Sequence, residues 1–190
     1  MNPEPTPDDT TRANRLAHLA RLVEEYRALP ADSDRKREII AELDGNAAAQ
    51  PFLVSVVADA GEYDLARIEC ATVLRLWPPA DPDLRHRAGR ALLAALNDPE
   101  EDLVRQYAAM ALGPYASDDP AVTEALIAAG GSEEDPLVRA CARSALEEAG
   151  LACARPVAAP NDKVGHRGLF LRKGRPEQGH RSHRAGPGTT

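Results

Sequence analysis

The sequence predicts an all-α fold, a short stack of antiparallel helix pairs, from three observations. A ten-residue pattern occurs at 65–74, 103–112 and 137–146. Each copy opens with Leu, a small or branched apolar residue and Arg, and closes with Leu seven positions after the Arg. Arg67, Arg105 and Arg139 therefore stand 38 and 34 residues apart, a period that belongs to stacked helical repeats. Four pairs, Asp81-Pro82, Asp98-Pro99, Asp119-Pro120 and Asp135-Pro136, each precede a helical pattern. An Asp carboxylate accepts an orphan backbone N–H at a helix start, and proline suits the first helical position, where no N–H is needed. Finally, the 190 residues are 43% apolar but only 4% aromatic. Alanine supplies much of that apolar content, and small side chains let helices approach closely.

The elements follow in order. Residues 1–10 are polar and proline-rich and read as a disordered leader. Leu16, Leu19, Val23 and Tyr26 recur at spacings of three and four, which predicts a helix over 11–29, ended by Pro30. Ser33 is placed to cap a second helix that turns Ile39, Ile40 and Leu43 inward and stops at Gly45. A third begins at Pro51 and carries Phe52, Leu53, Val56 and Val57 towards Gly61. The fourth holds the first copy of the pattern and ends at Trp77-Pro78-Pro79. The Asp-Pro pairs then start helices over 82–96, 99–112, 120–129 and 136–149, with Gly113-Pro114, Gly130-Gly131 and Gly150 as stops. This gives eight helices in four pairs over 11–150. Beyond them, 151–190 is rich in Gly, Pro, Arg and His, with one small apolar cluster at Leu169, Phe170 and Leu171. Such a segment buries too little to offset the entropy of ordering it and reads as a disordered basic tail.

The charge is unevenly spread. The net charge is −7, but from Arg155 onward eight Lys or Arg face two acids, a net +6 that leaves −13 on the preceding residues. An acidic body matches a phosphate backbone poorly and favours a basic protein partner, which argues against nucleic acid. The apolar run from Phe52 to Ala58 is far too short to cross a membrane. The first residues lack the basic start and apolar core of a secretory signal. Cys70, Cys141 and Cys153 are an odd and small set, which argues for a reducing, cytoplasmic setting. The sequence holds no CxxC pair, Gly-rich phosphate loop or nucleotide fingerprint, and no nucleophile at a suggestive spacing from His18 or His86. Its acidic clusters at 100–102 and 133–135 lack EF-hand spacing. A non-enzymatic protein is therefore expected, with no metal, cofactor or small-molecule substrate.

The repeated pattern resembles HEAT repeats, in particular the HEAT-like repeats of the phycobilisome-lyase type. In that family an Asp-rich turn leads into a Val-Arg step and an Ala-rich helix ending in Ala-Leu. Residues 97–112 match closely, 132–146 match well, and 64–74 match in part, with Ala66 replacing Val. The resemblance spans about 46–150. It implies a right-handed α-solenoid of the armadillo type, with the motif helices lining the concave side. It also implies binding and scaffolding more often than catalysis. Two alternatives come with it: an accessory subunit of a bilin-lyase-like enzyme, and a HEAT-like nucleic-acid-binding protein.

Two sets of candidate residues follow. Arg67, Arg105 and Arg139 recur beside acidic turns, which predicts a structural Asp–Arg ladder in which each guanidinium bonds turn carbonyls or carboxylates such as Asp64, Asp102 and Asp135. On ideal helices in the family's orientation, Glu69, Thr72, Gln106, Met110, Arg143 and Glu147 line the groove that would hold a protein partner with a basic patch. Tyr63, Trp77, Tyr107 and Tyr115 are read chiefly as packing between repeats.

Overall fold

A computed structural model of the chain describes residues 7–151. All of them fall in the first of two compact units, Met1–Pro156; the second, Val157–Thr190, lies outside the described residues, and with it the basic tail. The described chain is all-helical, with no strand. Its α-helices are α1 (Pro7–Ala28), α2 (Arg35–Glu42), α3 (Gln50–Ala58), α4 (Asp64–Leu76), α5 (Pro82–Leu96), α6 (Asp102–Ala111), α7 (Pro120–Ser132) and α8 (Pro136–Glu148). Short 3-10 turns at Ala47–Ala49 and Gly113–Tyr115 complete the list.

Three of the four Asp-Pro pairs act as the sequence predicts. The carboxylates of Asp81, Asp119 and Asp135 accept from the backbone N–H of Leu84, of Ala121, and of Leu137 and Val138. Asp98-Pro99 does not start a helix, and α6 begins four residues later at Asp102. Asp98 instead folds its own turn, accepting from the N–H groups of Glu100 and Glu101. Ser33 is not a side-chain cap either: Asp34 occupies the cap position of α2 and makes no side-chain cap bond. Gly130 and Gly131 lie inside α7, which runs on to Ser132. The first helix starts at Pro7, so residues 7–10 of the expected leader are helical, while 1–6 lie outside the described residues.

The last helix closes as predicted. Gly150 takes the left-handed conformation at φ 70°, its N–H reaches the carbonyl of Glu147, and the N–H of Leu151 reaches that of Leu146. This is the Schellman arrangement, and Leu151 packs back on the core as that motif favours.

Helices of even number pack in succession, α2 on α4, α4 on α6 and α6 on α8, while α3 packs on α5 and α5 on α7. The two rows meet in the pairs α3/α4, α5/α6 and α7/α8. The closing leucines of the repeated pattern, Leu74, Leu112 and Leu146, are fully buried, as are Cys70, Ala108 and Ala142 one turn earlier. Leucine fills the space between rows, while the small residue lets neighbouring backbones approach. At Gly113 the approach is closest: an added Cβ would stand 3.3 Å from the carbonyl oxygen of Ala145 on α8. The buried Tyr115 then ties this turn to α4, donating its hydroxyl to the carbonyl of Leu74 at 2.9 Å.

These positions predict an asymmetric response on α6. Leu112→Ala removes a fully buried side chain and should cost about 2–5 kcal/mol. Gln106→Ala, at a partly exposed position, should stay within about 0.5 kcal/mol. Urea unfolding of both variants measures the difference, and equal midpoints would overturn this helix register.

Candidate interaction surface

The predicted ladder exists in a different register. Arg67, only 3% exposed, donates to Asp98 at 2.7 Å and not to Asp64. Asp98 is 7% exposed and lies in the turn before α6, the next even-numbered helix. Arg105 contacts Asp102 in its own helix at 2.7 Å, as the sequence predicts, and also reaches forward to Glu133 before α8, at 3.4 Å. The sequence reading did not find the first rung: Lys36 of α2 donates to Glu62, before α4, at 2.6 Å. Arg139, on the last even-numbered helix, donates to the turn carbonyls of Glu133 and Glu134, one of the two kinds of partner the sequence predicts. Asp64 accepts from the N–H of Leu65 and Asp135 caps its own helix, so neither pairs with an arginine as expected.

The electrostatics of the two buried rungs agree with this geometry. Burial by itself would raise the Asp98 carboxyl, but the Arg67 guanidinium and two backbone N–H groups hold it below its usual range. Burial likewise opposes ionisation of Glu62, and Lys36 together with the N–H of Tyr63 overcomes it. Lys36 also stands 5.0 Å from the centroid of the Tyr26 ring, which packs edge-on against Phe52.

With the arginines turned into the turns, the outward stripe of each motif helix is set by the residues between them. Positions shared by the three copies make three rows: Leu65, Leu103 and Leu137; Glu69, Tyr107 and Cys141; Thr72, Met110 and Ser144. On α6 and α8 these positions follow helical spacing along one side. Two of the three opening leucines are exposed, Leu103 by 51% and Leu137 by 56%, while Leu65 is partly buried against the core. Tyr107 is 36% exposed, and Cys141 is half-buried. Trp77 is also exposed, so packing accounts for Tyr63 and Tyr115 but not for Trp77 and Tyr107.

The six expected groove residues divide by what they touch. Met110 lines a depression of about 220 Å³ with Ala140, Cys141 and Ser144, bounded by Arg75 and Glu148. Arg75 reaches from α4 to α8, where it pairs with Glu148 at 2.6 Å. Gln106 is half-buried and Glu147 exposed on the same helices. Thr72 donates its hydroxyl to the carbonyl of Ile68, and Glu69 accepts from Arg37 of α2 at 2.8 Å. Arg143 turns the other way and donates to the carbonyl of Gly130, near the end of α7, where a cation suits the helix dipole. Among the described residues no group of His, Cys, Asp and Glu could hold a metal ion, and no helix is long and apolar enough to cross a membrane.

The Arg67–Asp98 rung makes stability depend on pH with a defined sign. A carboxylate held below its unfolded value stabilises the fold above that value, and the contribution is lost as pH falls through the folded one. Unfolding free energy should therefore decline below about pH 4, where Asp98 and Glu62 take up protons. Arg67→Ala should cost about 3–5 kcal/mol at neutral pH, because it strands a buried carboxylate, and should flatten the acid decline. Urea midpoints at neutral and acid pH measure both effects. A loss under about 1 kcal/mol would show the rung to be dispensable.

No family model matches the chain, and no curated protein or solved structure matches it either.

Proposed function

We propose that this chain is a non-enzymatic protein-interaction module that holds a protein partner on the face formed by α4, α6 and α8. In this reading the helices form a short right-handed α-solenoid of the HEAT type, and that face is its concave side. The succession of even-numbered helices and the recurrence of a rung from each to the turn before the next support it. The observation that carries the reading is the row of opening leucines. Leu103 and Leu137 occupy the same register on neighbouring helices and both point out of the core. Apolar side chains repeated on one face and flanked by an aromatic are the composition of a binding surface.

The lyase-like and nucleic-acid alternatives have no comparable observation behind them. Turns with surplus carboxylates border the face, and these repel a phosphate backbone. The bordering acids favour a partner that carries a basic patch.

Placing a photo-cross-linking amino acid at Tyr107, and separately at Ile127 on α7, tests the reading in the native cell. Discrete protein adducts are expected from position 107 and not from 127. Adducts from 127 alone, or from neither position, would overturn it.

A further inference from the structure

We infer that the surface around Leu103 and Leu137 is a seat for one amphipathic helix of a partner protein, with basic residues along the flank that faces the turns at 98–102 and 133–135. This rests on the interaction-module reading and specifies the partner. The shape of the surface comes from its residues. Along α8 the outward positions after Leu137 are Ala140, Cys141 and Ser144, all small, while α6 presents Met110 opposite them, with Tyr107 exposed one turn before it. A low floor beside a taller wall makes a trough between two helices, closed at one end by the Arg75–Glu148 pair. By helical spacing the two exposed leucines stand one turn before Tyr107 on α6 and before Cys141 on α8. A trough with apolar walls receives an apolar stripe of i, i+3, i+4 and i+7 residues.

The charges of the surface select the occupant. Glu100, Glu101 and Glu134 are exposed and stand in the turns that begin α6 and α8, next to Leu103 and Leu137. Among the described residues none of the three makes an ion pair through its side chain, unlike Asp98, Asp102 and Glu133 in the same turns. A second copy of this chain would bring the same acidic edge, and an anionic lipid surface would be repelled by it. A helix with Lys or Arg beside its apolar stripe satisfies both features at once. Those charges would sit over carboxylates at the rim, where they steer encounter and fix orientation more than they add affinity.

The test uses the full chain and a labelled amphipathic peptide of Leu and Lys, roughly five helical turns long, with fluorescence anisotropy as the readout. A Leu/Glu peptide of the same pattern is the charge control. The wild-type chain should bind the Leu/Lys peptide. The double substitution Leu103→Ser with Leu137→Ser should weaken binding at least about tenfold, and Glu101→Lys with Glu134→Lys should do so at low salt. Ile127→Ser, an exposed change on α7, should have no effect, and circular dichroism confirms that each variant keeps its helices. Equal binding of the Leu/Glu peptide, lost with the leucines, would overturn the basic partner while leaving the interaction module standing. Binding indifferent to Leu103 and Leu137 would overturn the seat. Binding of neither peptide would overturn the helical partner, and the cross-linking at Tyr107 then decides separately whether the module reading survives. A wild-type dimer that the leucine substitutions dissociate would assign the surface to self-association instead.

Discussion

A cation carried forward from one even-numbered helix to the acid that precedes the next is the interaction on which this arrangement depends. Lys36 reaches Glu62, Arg67 reaches Asp98 and Arg105 reaches Glu133. Each rung joins a helix to a turn outside its own pair, so it fixes how one pair sits on the next. Hydrophobic contact alone does this weakly, because rows of Ala and Leu tolerate sliding. A buried ion pair adds little net stability but tolerates few geometries, so register is the role we assign to these rungs. The remaining bonds to Asp98 fit that role, since two backbone N–H groups hold one carboxylate oxygen while the other meets Arg67.

The same rungs explain what was legible in the sequence. Helix number and most boundaries were readable because Asp-Pro caps and a repeating Leu-x-Arg pattern are local signals. Asp98-Pro99 misled because a buried carboxylate with a distant partner looks in sequence like a cap. Its true partner, Arg67, is 31 residues away, and no local rule connects them. The first rung was invisible for a related reason: Lys36 stands in a helix without the repeated pattern, and only packing reveals its match to Arg67 and Arg105. The outward side of Leu103 and Leu137 was not legible because sequence spacing does not say which side of a helix faces its neighbour. Arg143 was misplaced for the same reason: its guanidinium goes to the carbonyl end of α7.

Once the arginine of each copy is committed inward, the rest of the helix is fixed by geometry. The closing leucine, seven positions on, falls on nearly the same side as the arginine and is buried. The opening leucine, two positions before it, falls well round the helix and is exposed in the second and third copies, Leu103 and Leu137, but partly buried in the first, Leu65. One short pattern therefore specifies a core row in all three copies and a surface row in the last two. Tyr107 and Met110 inherit the outward side by the same spacing, whereas Cys70, Ala108 and Ala142 inherit the buried one.

The acidity beside that surface row has a different origin. Each turn carries more carboxylates than the ladder uses. Residues 98–102 hold Asp98, Glu100, Glu101 and Asp102, of which Arg67 engages the first and Arg105 the last. In residues 133–135, Glu133 meets Arg105 and Asp135 caps α8, which leaves Glu134. Surplus carboxylates cost the fold little at this place, because the start of a helix favours negative charge. Exposed leucine beside them has no such compensation among the described residues. The acidic edge is thus explained by the helices it begins, whereas nothing among the described residues explains the exposure of Leu103 and Leu137, and it is on these two that the proposed partner surface rests.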